Sequence, residues 1–353
     1  MRGLRVLGSL LAASITALAV GACGGTGSNG PASTCSKTWK VGLVTDVGKL
    51  SDKSFNFDSF KGVQDAQADA SLCVQGKAIE SSTPDDYPKN IQLFLDGKYD
   101  MIIGVGFNLG DAVIKAAKAN PTTKFVLVDA FDFAPAPEVP PANLTGLLFQ
   151  EDQPGFLAGA LAALVSKTGT IGVVAGLQTV PPVVRYVEGY AKGAAYAKAG
   201  TKVLKIYQPE SGAKDFNDPD WGKQQGQTFI SQGADVIFGA GGQTGNGALL
   251  AAKDAGKFCV GVDVDQYISY PDVASCLITS AEKHLDLAVK QAVTDLTKGT
   301  LKGGISSFNI QNDGIGLAPY HDNASKIPAD VQTKIADIQS KLKSGAITTG
   351  VTA

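Results

Sequence analysis

Carboxylates, amides and aromatic rings recur in this chain directly after short apolar runs, and that placement is where its chemistry lies. The first such run is followed by Thr45-Asp46-Val47-Gly48-Lys49-Leu50-Ser51-Asp52-Lys53-Ser54-Phe55-Asn56. Later runs are followed by Gly104-Val105-Gly106-Phe107-Asn108, by Asp129-Ala130-Phe131-Asp132, by the glycine-rich Gly239 to Gly247, and by Gly261-Val262-Asp263-Val264-Asp265-Gln266. Repeated carboxylates accept hydrogen bonds from vicinal hydroxyls, so the pattern suits a neutral, polyhydroxylated ligand better than a phosphate. The aromatics Phe55, Phe57, Phe131 and Tyr186 are candidates to stack on a flat ring, with core packing as the plainer alternative. Asp46, Asp129 and Asp263 also read as helix N-caps, which would give them a structural role only.

Other chemistries lack the residues they need. The loop before Ala248 is rich in glycine but has no Gly-Lys-Ser/Thr ending, so it is no P-loop, and it is not a clean dinucleotide fingerprint. No Gly-x-Ser-x-Gly elbow occurs, and His284 and His321 have no local Ser or Cys partner, so nucleophilic catalysis has no support. No Cys-x-x-Cys occurs and the two histidines are far apart, so neither a metal nor a cofactor is expected.

The elements that would position these residues alternate regularly. Apolar runs at 41–45, 74–79, 101–105, 125–128, 144–149, 171–174, 203–206, 236–238, 259–262 and 277–279 are each short and rich in β-branched residues. Amphipathic stretches separate them, such as 156–165 and 284–296, whose apolar residues recur at helical spacing. Such alternation predicts an α/β fold with parallel sheets covered on both faces, beyond whose strand C-termini a ligand binds. Ten strands with short connections predict two sheets of about five, divided near 145–155, where Glu151-Asp152-Gln153-Pro154-Gly155 opens a helix. The chain's 353 residues support two lobes, and its 42 glycines, roughly 12% against a usual 7%, fit close-packed layers with glycine turns. A formal charge of −2 offers no basic footprint for nucleic acid, so none is expected as a partner.

The N-terminus reads as a segment to be removed. Arg2 and Arg5 precede an apolar run from Leu7 to Ala22 that is short for a membrane span and ends in small residues, as an export signal does. Val20-Gly21-Ala22-Cys23 matches a bacterial lipobox, which would acylate Cys23 and anchor the protein to the membrane. Residues 1–22 are then the signal, and 23–38 a polar tether. Loss of Arg2 and Arg5 leaves 29 basic against 33 acidic residues. Cys35, Cys73, Cys259 and Cys276 remain, an even number in an exported chain. Three connectivities are possible; proximity favours Cys259 with Cys276 and placement before successive strands favours Cys35 with Cys73, with free buried thiols as the alternative.

Four stretches carry a family resemblance. Gly42-Leu43-Val44-Thr45-Asp46 followed by Asp52-Lys53-Ser54-Phe55-Asn56, Gln153 to Gly159, Gly241 to Gly247, and Gly261 to Gln266 resemble, in order, the basic membrane protein family. These are ABC-transporter substrate-binding lipoproteins that include purine nucleoside receptors, and the similarity spans about 39–320. The resemblance implies a type I periplasmic-binding fold, two doubly wound parallel-sheet lobes joined by a hinge. Expected boundaries are 39–146 with 279–302 for lobe 1, 147–278 with 303–325 for lobe 2, and a C-terminal helix in 326–353.

It further implies a monomer lipid-anchored on the extracytoplasmic face, binding a nucleoside of the purine class and delivering it to ABC permease subunits. Ribose hydroxyls would meet Asp263, Lys283 and the backbone at Gly242. The base would stack between Phe55 and Tyr186 and be read by Asp46, Asn56 and Asp129. Tyr186 stands where a phenylalanine is expected, and Gln243 reads as an insertion in a shorter Gly-Gly-Thr-Gly loop. A receptor for a sugar or autoinducer-like compound is the alternative, and a nucleoside-processing enzyme a more distant one.

Overall fold

The computed structural model describes residues 35–129 and 140–352. The expected export signal, Cys23, most of the tether and Phe131 lie outside the described residues. Strands and helices alternate as β1 Trp39–Thr45, α1 Phe55–Ala68, β2 Val74–Ile79, α2 Tyr87–Asp96, β3 Met101–Val105, α3 Gly110–Ala119, β4 Lys124–Val128 and β5 Leu144–Phe149. After these come α4 Asp152–Val165, β6 Thr170–Leu177, α5 Pro181–Ala197, β7 Lys202–Gln208, α6 Pro219–Ser231, β8 Val236–Ala240, α7 Gly242–Asp254 and β9 Phe258–Asp263. The chain continues with α8 Gln266–Ser269, β10 Leu277–Lys283, α9 Leu285–Lys298, β11 Gly304–Phe308, β12 Ile315–Leu317 and α10 Ala329–Lys343.

The ten apolar runs are all strands, and two sheets form as expected. The first has the order β11-β5-β4-β3-β1-β2 and the second β12-β10-β9-β8-β6-β7. Every described pairing is parallel except that of β12 with β10. Strands such as β3 and β8 are buried along their whole length, which is why they read as continuous apolar runs rather than alternating ones. β11 and β12 were not foreseen: one alternates half-buried and exposed residues and the other has three residues.

All the crossings between the sheets differ from the expected boundaries, the first only slightly: β5 stays in the first sheet to Phe149, past the break expected after Gly146. β10 stays in the second sheet, its Ala281 and Glu282 in register with Val262 and Asp263 of β9. β11 pairs residue for residue with β5 in the first sheet, from Gly304 with Thr145 to Phe308 with Phe149. The chain therefore crosses after Lys283, not before Thr279, and again after Phe308, not before Gly303. Backbone ladders decide this, because each strand must satisfy its N–H and C=O groups in one sheet or the other. Between those crossings α9 packs against α1.

Helix α4 is buried on nearly every side and lies against α5, β10, β12 and α10. Its contact with α5 depends on glycines four residues apart on both helices. A Cβ on Gly155 or Gly159 would come within 2.5 Å and 1.9 Å of the carbonyl oxygens of Tyr186 and Tyr190. One on Gly189 or Gly193 would meet those of Asp152 and Phe156 at 2.3 Å and 1.8 Å. The helix backbones thus touch directly, and no flexible side chain can move aside.

Disulfides join Cys35 to Cys73 and Cys259 to Cys276. The first fixes the start of the described chain beside β2; the second ties the start of β9 to that of β10.

Gly193→Val should cost about 3 kcal/mol or more of unfolding free energy, because the obstacle is backbone. Urea unfolding of purified protein measures this, and an unchanged midpoint would contradict the direct backbone contact of α4 and α5.

Candidate functional site

The C-terminal ends of both sheets open on one cavity, and all eight residues singled out for a ligand line it: Asp46, Phe55, Asn56, Asp129, Tyr186, Gly242, Asp263 and Lys283. Asp46 follows β1, Phe55 and Asn56 open α1, and Asp129 follows β4. Tyr186 lies in α5, Gly242 opens α7, and Asp263 and Lys283 end β9 and β10. β4 and β9 hold the same position in their respective sheets. Asp129 and Asp263 both adopt left-handed backbone there, at φ 67° and 65°. Aspartate tolerates this conformation better than most residues, and positions of this kind cluster at functional sites.

Asp46 and Asp263 cap no helix among the described residues, and the residues that follow Asp129 lie outside them. Asp46 Oδ1 accepts from Gly48 N at 2.9 Å. Asp263 Oδ2 accepts from Ser54 Oγ at 2.6 Å, and its Oδ1 from the Tyr186 hydroxyl at 3.3 Å. The start of α1 is held by Asp52, which accepts from the backbone N–H groups of Ser54, Asn56 and Phe57 at 2.9, 2.8 and 3.1 Å. Asp46 and Asp129 both line the cavity.

A buried chain of charges forms the base of the site. Lys283 Nζ is 2.5 Å from Asp129 Oδ2 and 2.8 Å from Glu151 Oε1, while Arg185 Nε donates to Glu151 Oε2 at 2.7 Å. Burial opposes the charge on Lys283, but Asp129, Glu151 and Asp263 outweigh it and hold the ammonium protonated. Burial likewise opposes ionisation of Glu151, yet Lys283 and Arg185 keep it below the usual carboxylate range. Asp129 is different: burial pushes it up to about 7, with the charges of Glu151 and Asp263 acting the same way and Lys283 opposing them. Burial also raises Asp46 to about 7, Asp52 to about 6, and Asp263.

Two buried acceptors on this surface have no hydrogen-bond partner among the described residues, Asp129 Oδ1 and Asn56 Oδ1. The amide nitrogen of Asn56 is occupied, donating to Asp52 Oδ2 at 3.0 Å. An unpaired buried acceptor costs about 1–3 kcal/mol, which a ligand N–H or O–H would recover.

Aromatic rings form part of the cavity lining, Phe55 and Tyr186 among them. Phe55 lies beneath Lys283, whose Nζ is 5.1 Å from the ring centre. Tyr186 packs edge-on against Phe238, with its hydroxyl 3.3 Å from both Asp263 Oδ1 and the Ala281 carbonyl oxygen. Phe107 and Phe216, edge to face at 6.5 Å, also line the cavity, as do Asn217 and Lys49. The sequence shows Phe107 only as part of a loop and gives no separate sign of Phe216, Asn217 or the role of Glu151. All of them follow strand C-termini, so the rule that found Asp46 and Asp129 applies to the ends of β5 and β7 as well.

One loop of the first sheet's side reaches across the cavity mouth. Ser54 bonds to Asp263 as above, Asn246 Nδ2 donates to the Asp52 carbonyl at 2.9 Å, and Ser269 Oγ to the Lys53 carbonyl at 2.8 Å. These bonds clasp the end of β1 to α7, α8 and β9.

The raised carboxyls predict how stability varies with pH. Asp58 joins them, pushed up to about 8 by burial and by Asp286. Groups that bind protons more tightly when folded stabilise the protein at low pH, and that contribution is lost as pH rises from about 3.9 through the folded values. His284, raised mainly by its bond to Glu282, acts in the same direction, and Glu151 matters only below its ordinary range. The ligand-free protein should therefore melt at a higher temperature at pH 5.5 than at pH 8. A calorimetric melting point that rises with pH across this window would show that burial does not dominate these groups.

A family model described as ABC transporter substrate-binding protein PnrA-like matches residues 39–352. The chain is 30% identical over 329 residues to the CD4+ T-cell-stimulating antigen of Listeria monocytogenes, with 88% of each chain covered. It is also 30% identical over 327 residues to the ABC transporter nucleoside-binding protein BmpA of Lactococcus lactis, again with 88% of each covered. Among solved structures, an ABC transporter solute-binding protein from Aeropyrum pernix K1 superposes with a TM-score of 0.76 at 26% identity, covering 88% of this chain and 92% of that one. One from Conexibacter woesei, at 21% identity and a TM-score of 0.70 over 88% and 98% of the chains, shares the fold. The architecture is accordingly the type I periplasmic-binding fold, and the chain belongs to the PnrA-like family of ABC transporter substrate-binding proteins.

Proposed function

We propose that this protein is a lipid-anchored extracytoplasmic receptor that closes on a purine nucleoside and delivers it to an ABC permease. The observation that carries the reading is the pair of unpartnered acceptors, Asn56 Oδ1 and Asp129 Oδ1, on a cavity with aromatic walls. A purine presents N–H donors at its edge and a flat face for stacking, and its ribose presents vicinal hydroxyls. Asp46, Asn56 and Asp129 then read the base, while Asp263, Lys283 and the Gly242 backbone hold the ribose.

Phe55 supplies one stacking face. Phe216 is better placed than Tyr186 for the other, since the Tyr186 hydroxyl is committed to Asp263 and Ala281. The buried carboxylates disfavour phosphorylated ligands by charge repulsion. The nucleoside binding named for the Lactococcus lactis relative supports the same reading. Anchorage would come through Cys23, and closure would follow from ligand contacts to both lobes across the hinge.

Calorimetric titration with inosine, guanosine and adenosine, beside uridine and a free hexose, tests this. Purine nucleosides should bind, and at 100 times the dissociation constant should add about 2.7 kcal/mol of stability by linkage. Phe55→Ala and Phe216→Ala should each weaken binding about tenfold or more, as loss of a stacking face does. Heat from the hexose but from no nucleoside would establish the sugar-receptor alternative. Free hypoxanthine released from inosine would establish an enzyme.

A further inference from the structure

Glu151 is fully buried and does not line the cavity, yet it links two buried cations, Lys283 on the cavity wall and Arg185 in α5. It stands between β5 and α4, where the chain first passes from one sheet to the other. One carboxylate oxygen accepts from Lys283 Nζ at 2.8 Å and the other from Arg185 Nε at 2.7 Å. Lys283 ends β10, at the next passage between the sheets, and its ammonium also contacts Asp129 at 2.5 Å. The order Asp129, Lys283, Glu151, Arg185 thus runs from the cavity wall, through both crossings, into α5.

We propose that Glu151 is a positioning residue for the ligand site: by sharing Lys283 with Asp129 from behind the cavity, it governs how firmly that ammonium is committed to the ligand-facing carboxylate. The geometry makes the two carboxylates competitors. Lys283 carries one positive charge, with the rings of Phe55 and Phe149 each 5.1 Å from its Nζ; its N–H groups serve both carboxylates, so what the two anions divide is that single charge. Arg185 moderates the competition, because a Glu151 paired with its guanidinium makes less demand on Lys283.

The groups facing Asp129 are Lys283, Glu151, Asp263 and the Tyr186 hydroxyl. Those facing Glu151 are Lys283 and Arg185, with Asp152 beside it. Coupling across this set means that Asp129 and Glu151 titrate as a pair. The ligand-facing oxygen of Asp129 accepts from a ligand best when the group is ionised, so Glu151 also sets the pH below which affinity falls. The affinity statement rests on the ligand-binding reading above; the titration of Asp129 does not.

The test is carboxyl-carbon NMR of ligand-free protein labelled at aspartate, with the Asp129 signal assigned by Asp129→Asn. In the parent chain Asp129 should titrate near 7. Glu151→Gln removes the competing charge and should lower that midpoint by about one pH unit or more. Arg185→Gln strips Glu151 of its partner and should move proton uptake by the pair the other way, while Arg185→Lys should restore the parent value. A residue that only fills space would alter melting temperature without moving the midpoint.

Inosine titrations across pH 5.5–8.5 give a second readout, in which the acid limit of binding should follow the Asp129 midpoint in each variant. A midpoint unchanged in Glu151→Gln overturns the inference even if inosine binds. If Glu151→Gln does not fold, an unchanged midpoint in Arg185→Gln overturns it. Shifted midpoints with no nucleoside binding in any variant would sustain the role of Glu151 and overturn the nucleoside reading instead.

Discussion

An ammonium shut away from water can stay charged only if anions surround it, and Lys283 imposes that requirement on everything near the hinge. Removing an ion from water costs several kcal/mol even after relaxation. The cost is offset by Asp129 and Glu151 within 2.8 Å, and Glu151 is balanced in turn by Arg185. Satisfying one charge thus fixes the ends of β4 and β10, the β5–α4 crossing and a turn of α5 relative to one another. A bilobed protein would otherwise have its greatest freedom there.

The scaffold behind this network is rigid for a different reason. Glycines on α4 and α5 let the two helices meet backbone to backbone, so Glu151 and Arg185, carried on those segments, have little room to separate. In front of the network the structure accepts strain instead. Asp129 and Asp263 occupy left-handed backbone at matching strand ends, at a cost of about 1–3 kcal/mol each. Asp129 also leaves one oxygen without a partner, as does Asn56. Strain thus gathers at the cavity wall, and close packing lies behind it.

The loop after β1 connects these features across the cavity. Asp52 caps α1 with its side chain and offers its carbonyl to Asn246, while the neighbouring Ser54 reaches Asp263. The same few residues therefore start a helix on one side and grip the opposite wall on the other. A change in the charge of Asp52 or Asp263 would be felt in both places, and both carboxyls are raised by burial.

Much of this was legible along the chain. Buried parallel strands are apolar along most of their length, so the ten runs stand out in the sequence, and the strand-end rule together with the family resemblance points to eight residues that do share one cavity. The disulfide partners were also favoured from position alone, although other pairings stayed open. Short edge strands were not legible: β11 and β12 gain their identity from the ladder they join, not from their own residues. For the same reason the later crossings fell elsewhere than expected. Glu151 and Phe216 were overlooked because a single carboxylate or ring at a strand end carries no mark of its neighbours. Whether a lysine is shared between two carboxylates, or which of two aromatic rings faces a ligand, depends on distances between segments over a hundred residues apart. Periodicity and residue type are local properties and specify the elements; charge pairing and enclosure are properties of the assembled interior, and only folding creates them.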